Sequence, residues 1–253
     1  MSAYRAAVCT ALTGPDSMEI QQREPQPLEP GQIRIAVKAA GLNFPDLLMT
    51  YGKYQFRPDP PFIPGLDAAG EVIEVASDVT NVSVGDRVMA GSKGGILAEQ
   101  MVTAAAHSSP LPDSLSFEEG ACWQTAAATA WHALIALGEL KAKESVLILG
   151  ASGGVGLSAV KLARHVGATV IGTGSTPEKR GVISAAGADH VLDPADPDLA
   201  AKVKELTGGK GVDVVYDPVG GDLAITATRS IAFGGRYLIV GFASGTIPSF
   251  PAN

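Results

Sequence analysis

Residues 146–156, VLILGASGGVG, constrain this chain more than any other stretch. Four apolar residues, Val146 to Leu149, run into a glycine-rich turn. Beyond it Val155, Leu157, Val160, Leu162, Ala163 and Val166 recur at the three- and four-residue spacing of a helix. Strand, glycine turn and helix in that order fit the first unit of a parallel α/β sheet whose helix N-terminus receives an anion. Glycines let the main chain turn tightly and lie against a pyrophosphate, and the free amides of the first helical turn meet its charge. Ala151, Ser152, Gly153, Gly154, Val155 and Gly156 are the candidate residues. Gly153 and Gly156 hold two places of the usual G-x-G-x-x-G, and Ala151 stands at the first. An ordinary tight turn is the competing reading.

The rest of the chain has two textures. Up to about residue 115 it reads as short strands punctuated by turns: Ile33, Ile35 and Val37 alternate with Arg34, Ala36 and Lys38, and GEVIEV (70–75) and DRVMA (86–90) continue the pattern. Pro58, Pro60, Pro61 and Pro64 make 57–65 a stiff non-helical loop. Such a pattern suggests a small barrel or folded sheet. After Ser116 the spacing predicts one helix over 117–138. Strands then follow at 146–149, 169–172, 190–192, 212–216 and 236–240, separated by helices near 154–166, 177–186, 198–207 and 222–231. Repeated β-α units of this length require a parallel sheet with right-handed crossovers. The expected division is 1–120 and 121–253.

Composition excludes several classes of partner. With 19 basic and 26 acidic residues the net charge is −7, which argues against nucleic acid and anionic membranes. Two cysteines, Cys9 and Cys122, cannot form a disulfide framework and suit a reducing compartment. The most apolar segment, 121–138, carries Gln124, Thr125, Thr129 and His132 and reads as a buried helix rather than a membrane span. The N-terminus lacks a signal-peptide apolar run, so a cytoplasmic location is expected.

Four stretches, AAGLNFPDLL (39–48), PFIPGLDAAGEV (61–72), VSVGDRV (82–88) and GASGGVGLSAVKLA (150–163), carry a resemblance to a known family, extended by GADHVLDP (187–194) and GVDVVYDPVGG (211–221). The chain resembles the zinc-independent, zeta-crystallin-like quinone oxidoreductases of the medium-chain dehydrogenase/reductase superfamily. That resemblance implies an α/β fold: a GroES-like β-barrel domain joined to a Rossmann domain, with the active site in the cleft between them. It implies NADPH-dependent reduction of a quinone or an α,β-unsaturated carbonyl. An enoyl-thioester reductase on the same scaffold, or a non-catalytic NADPH-binding protein, are the alternatives. Full-length relatives dimerise through a sixth Rossmann strand, and a homodimer is expected of a full-length form. Here the chain stops at Pro251-Ala252-Asn253, short of the family's usual length. The strand at 236–240 is therefore expected to be an apolar edge, and the barrel to lack its closing segment.

Site residues follow from both lines. The second Rossmann strand ends VIGTGSTPEKR (170–180) without the carboxylate that bonds a ribose 2′-hydroxyl in NAD-specific sites. Gly174, Ser175, Thr176, Lys179 and Arg180 stand there instead, and hydroxyls and cations suit a 2′-phosphate, hence NADPH. Asp217, Gly241 and Phe242 lie at strand ends where open α/β sheets bind ligands. Asn43 is the leading donor toward a substrate oxygen that gains negative charge, matching a family asparagine; it reads equally as a helix cap. Asp46 reads as a helix-start residue. The resemblance adds Tyr54 at the substrate and Thr129 at the nicotinamide end, while a second family tyrosine corresponds to Leu48, with Tyr51 as a possible stand-in. Zinc-dependent relatives place Cys, His and Cys where this chain has Asn43, Leu66 and Thr125. His107, His132, His165 and His190 show no ligand spacing, so no metal is expected.

Overall fold

The computed structural model describes residues 2–251; Met1, Ala252 and Asn253 lie outside the described residues. The chain forms two compact units, Met1–Thr125 and Ala126–Asn253, divided a little beyond the expected residue 120. In the first, β1 (Tyr4–Cys9) and β2 (Met18–Arg23) make an antiparallel ribbon. A five-stranded antiparallel sheet holds β3 (Gln32–Gly41), β4 (Asp67–Val75), β5 (Arg87–Gly91), β6 (Gln100–Ala104) and β7 (Ser108–Pro110) in the order β6-β3-β4-β5-β7. Its core is Ile33, Ile35, Ala68, Val72, Val88, Ala90, Ile96 and Met101. The end strands β6 and β7 do not pair with each other among the described residues. Arg34, which alternates with Ile33 and Ile35, is itself only 1% exposed. The guanidinium bonds Glu74 at 2.8 Å and the Gln26 carbonyl, so the ion pair outweighs the period-two pattern.

The β3–β4 register ends with Gly41 opposite Asp67. Three residues past Gly41 the chain enters α1 (Phe44–Thr50), capped by Asn43. Helix α2 (Phe117–Ala121) packs against the same end of the sheet, and a Cβ at Gly41 would collide with its Ala121 carbonyl oxygen. Only glycine allows that approach.

The single helix expected over 117–138 is instead three pieces: α2, α3 (Gln124–Trp131) and a π-helical stretch, His132–Leu137. Ser116 and Glu119 form a capping box that starts α2. The break comes where the Thr125 amide, at the start of α3, donates to the Asp67 carboxylate rather than up its own chain. A side chain 58 positions earlier thus caps the second helix.

The second unit is a parallel sheet of β8 (Ser145–Ile148), β9 (Thr169–Thr173), β10 (His190–Leu192), β11 (Val212–Asp217) and β12 (Ile231–Ile239), ordered β10-β9-β8-β11-β12. Helices α4 (Gly154–Val166), α5 (Pro177–Ala185), α6 (Leu199–Leu206) and α7 (Gly221–Thr228) alternate with the strands. Val146 and Ile148 pack with Ala159, Val160, Ala163 and Ile183 on one face; Leu147 and Leu149 pack with Leu199, Val203 and Ala227 on the other. Burial on both faces is why 146–149 reads as an unbroken apolar run. From β8 the chain winds outward through β9 and β10, then restarts with β11 on the other side. The turn after β8 therefore lies at the topological switch point, where such sheets bind ligands.

The last strand begins at Ile231 rather than at 236, and four residues, Ala232 to Gly235, lie between Ile231 and Arg236 where the partner strand has only Asp213, a bulge. Beyond it no strand pairs with β12 among the described residues, and Ile239 stands 56% exposed on that edge. No helix among the described residues is long and apolar enough to cross a membrane.

Candidate functional site

The glycines of the turn after β8 separate into two kinds. Gly150 has φ +54°, and a Cβ there would lie 2.8 Å from Val219 Cγ2. At Gly156 a Cβ would collide with the Gly150 carbonyl oxygen and lie 2.7 Å from Ala151 Cα. Both are glycine because the fold leaves no room. Gly153 and Gly154 differ: both are exposed, Gly153 has an ordinary φ of −78°, its Cβ would find nothing nearer than 3.5 Å, and one at Gly154 nothing within 4 Å. Neither backbone strain nor packing requires glycine here. The open space lies over the first turn of α4, whose cap Gly153 offers no side chain to the helix amides. A cradle that a Cβ would fill, backed by unpaired amides and the positive end of a 13-residue helix, fits a pyrophosphate.

Ala151 lies inward. It is fully buried, and its amide donates to the Thr173 carbonyl at 3.1 Å. Ser152 and Val155 are half-buried beside the open glycines, Val155 packing partly into the core. Thr173, which the sequence did not single out, accepts the Gly150 amide on its hydroxyl at 3.1 Å and locks the turn to β9.

At the end of β9 the expected cluster divides. Ser175 and Lys179 are exposed, with Lys179 Nζ 3.4 Å from Ser175 Oγ. Thr176 caps α5, its hydroxyl accepting from the Lys179 amide at 3.3 Å. The Arg180 guanidinium is committed to the protein, donating to the Gly174 carbonyl and to Asp193 Oδ2, each at 2.9 Å. Gly174 is glycine for packing, since a Cβ would sit 2.7 Å from Ile183 Cδ1. Arg180 and Gly174, expected at the cofactor, are thus explained by the joint between β9 and α5.

Asp217 is corrected in the same way. It ends β11 as anticipated but is 1% exposed: Oδ1 accepts the Val219 and Gly220 amides at 2.8 and 2.9 Å, and Oδ2 accepts the Tyr237 hydroxyl at 2.8 Å. Burial, with this bond second, raises the Tyr237 phenol above its usual range. Asp217 shapes the turn, its buried carboxylate held by two main-chain amides and a phenol. Gly241 and Phe242 follow β12 half-buried, the Gly241 amide donating to the Asp217 carbonyl at 3.2 Å.

In the first unit Asn43 is the helix cap, one of the two readings the sequence left open. It caps α1, its amide donating to Asp46 Oδ2 at 2.7 Å, which makes Asp46 the helix-start residue expected. Its side-chain Nδ2 points elsewhere, to Asp67 Oδ2 at 3.2 Å. Asp67, 2% exposed, also accepts the Thr125 hydroxyl at 2.6 Å and the Thr125 amide at 3.1 Å. Asp46 is 4% exposed, and its Oδ1 has no partner. Burial, the largest cause, raises its carboxyl above the ordinary range; the Asn43 amide opposes this and the Asp67 charge adds to it. No local pattern marked Asp67, because its partners are distant in sequence. Tyr54 is half-buried in a loop, its carbonyl accepting from Arg57. The Tyr51 ring packs on Gly14 with Lys53 Nζ 5.5 Å above its centre. In the second unit Thr129 lies half-buried on α3, and among the described residues its hydroxyl makes no bond back to its own helix, unlike that of Thr207.

Known proteins resemble this chain along nearly its whole length. The family "Alcohol dehydrogenase GroES-like domain" matches residues 29–131, and "Zinc-binding dehydrogenase" matches 154–253. The "Quinone oxidoreductase-like protein 2 homolog" of Nematostella vectensis is 40% identical over 99% of this chain and 68% of its own length. The crystal structure of a Pseudomonas syringae pv. Tomato quinone oxidoreductase superposes with TM-score 0.91, 37% identity, over 99% of this chain and 77% of that one. A mycobacterial protein solved in complex with NADPH gives TM-score 0.89 and 36% identity over 98% and 76%.

The second family's name raises the question of zinc, and the donor set answers it. Leu66 has no ligand atom, while Asn43 Nδ2 and Thr125 Oγ1 both turn hydrogens toward Asp67. Among the described residues no three His, Cys, Asp or Glu side chains cluster as metal ligands. These residues do not fit a zinc ion. Two matched domains, near-complete coverage by quinone oxidoreductase-like relatives and the shared topology show that the chain belongs to the quinone oxidoreductase-like family of the medium-chain dehydrogenase/reductase superfamily.

Proposed function

We propose that this chain is an NADPH-dependent oxidoreductase that reduces a quinone or an α,β-unsaturated carbonyl by hydride transfer without a metal. The observation that carries the reading is the open pair Gly153–Gly154 over the uncapped start of α4, at the switch point of the sheet. When bound, NADPH supplies a hydride from its nicotinamide ring. Gly153, Gly154 and the amides that follow hold the pyrophosphate. Ser175 and Lys179 hold the 2′-phosphate, because both are exposed with Lys179 Nζ 3.4 Å from Ser175 Oγ, and the residues that follow β9 directly, Gly174 to Thr176, include no acid. Arg180 supports that pocket through Asp193 without entering it. Negative charge grows on the substrate oxygen as hydride arrives, and the Asn43 amide stabilises it. Tyr54 and Thr129 orient the substrate and the nicotinamide.

Steady-state oxidation of NADPH against quinones, enones and crotonyl thioesters tests this reading. Turnover with quinones or enones, and little with thioesters, is expected. Preference for the thioester would instead support an enoyl-thioester reductase. NADPH binding without turnover on any acceptor would leave a non-catalytic nucleotide-binding protein.

A further inference from the structure

We propose that Asp67 is a positioning residue that aims the Asn43 amide. The inference rests on the reading of Asn43 as the donor to the substrate oxygen. An ionised carboxylate only accepts hydrogen bonds, so the group facing Asp67 Oδ2 at 3.2 Å is the NH2 of Asn43 and not its carbonyl oxygen. One of the two amide hydrogens is tied to Asp67 and the other is left as a directed donor. The torsion that turns an asparagine amide is otherwise broad and nearly two-fold, so an unheld Asn43 would present its oxygen as often as its nitrogen. An oxygen in that place would repel the growing charge.

The holding group is itself held. Asp67 is the first residue of β4, paired with Gly41, and accepts the Thr125 hydroxyl at 2.6 Å and the Thr125 amide on both oxygens, at 3.2 and 3.1 Å. Its backbone is therefore fixed by the sheet and its carboxylate by α3. Asn43 is clamped at a second point by its main-chain bond to Asp46. Both carboxylates are almost completely buried, so water does not compete for these bonds. Asparagine at 67 keeps the volume but offers one acceptor oxygen and adds two hydrogens, so it cannot satisfy Asn43 and Thr125 together.

The test is a double-mutant cycle on the full chain, Asp67→Asn with Asn43→Ala, reading kcat, KM, NADPH affinity and melting temperature. Asp67→Asn should lower kcat roughly ten- to hundredfold with NADPH affinity nearly unchanged, and should cost nothing further once Asn43 is alanine. Wild-type kcat in Asp67→Asn overturns the proposal, and so do losses that simply multiply in the double variant, which would leave Asp67 as a helix cap only. If the wild-type chain reduces no acceptor, the functional reading fails but the positioning stands to be read by 15N NMR. The Asn43 side chain should then show one protected and one freely exchanging amide hydrogen, the difference lost in Asp67→Asn. Should that variant not fold, the wild-type spectrum alone decides, and two equally exchanging hydrogens overturn the proposal.

Discussion

The turn after β8 and the Asn43–Asp67–Thr125 cluster solve similar problems by opposite means. The turn makes a polar surface from main-chain amides within seven consecutive residues, Gly150 to Gly156, so its composition announces it. The cluster makes one from side chains that meet across 24 and 58 positions of sequence. Backbone chemistry is the same at every residue and needs only permissive glycines, whereas side-chain chemistry must be carried to its place by strands and helices. The first kind of site tolerates no bulk, and the second no loss of register.

The largest expected effect separates the two kinds of glycine in the turn. Gly156→Ala should destabilise the chain by about 3 kcal/mol, because the neighbours that its Cβ meets are backbone atoms. Gly153→Ala should leave the melting temperature nearly unchanged while weakening NADPH and NADH alike by about 1.4 kcal/mol or more, a factor of ten. Thermal unfolding and fluorescence titration read the two quantities. Equal melting losses would erase the distinction.

Next in size is the 2′-phosphate pocket. Lys179→Ala should weaken NADPH by about 1.5–3 kcal/mol, the scale of a charge-assisted hydrogen bond, and leave NADH almost untouched. Arg180→Ala should affect both nucleotides equally, since its guanidinium already serves Asp193 and Gly174. Selective loss of NADPH in Arg180→Ala would reinstate the arginine as a phosphate ligand.

A smaller effect tests the frame of the second unit. Arg236 donates to both carboxylate oxygens of Glu144, at 2.9 and 2.7 Å, and to the Gly138 carbonyl. Arg236→Met should cost about 1–2 kcal/mol at neutral pH. The bond to Arg236, as the largest cause, holds Glu144 below its ordinary value of 4.5. The pair's contribution is therefore present above that value and lost as pH falls through the lower folded one. Denaturation curves of the two proteins should converge in acid. A gap that stays constant would mean the ion pair contributes nothing.

Asp46 gives the smallest effect, with the opposite sign. Burial raises its carboxyl above 3.8, so its contribution to stability is complete below that value and lost as pH rises through the folded one. Asp46→Asn keeps an acceptor for the Asn43 amide and does not titrate. It should gain on the wild type in denaturant midpoint as pH rises above 3.8. A relative loss on that rise would show that the charge is used.

Much of the fold was legible. The parallel sheet and its helices follow from apolar runs and helical spacing, because burial on both faces of a strand, or one face of a helix, imposes those periods directly. What misled were residues whose surroundings, not their type, decide their role. Gly174 and Asp217 were expected beside the cofactor, and the structure shows Gly174 packed against Ile183 and Asp217 clamping a turn; Arg34, on an alternating half-buried strand, is buried against Glu74. The alanine-rich run at 117–138 has the composition of one helix, yet it folds as three pieces, and Asp67 caps the second.

The chain's own sequence determined the glycine turn, the order of strands and helices, and the missing acidic residue at the end of β9, because each depends on neighbours along the backbone. Tertiary structure alone decided which glycine is open and which is crowded, which cation is free and which is paired, and where the Asn43 amide points. Those outcomes depend on atoms that chain folding brings from tens of residues away, and local sequence carries no record of that distance.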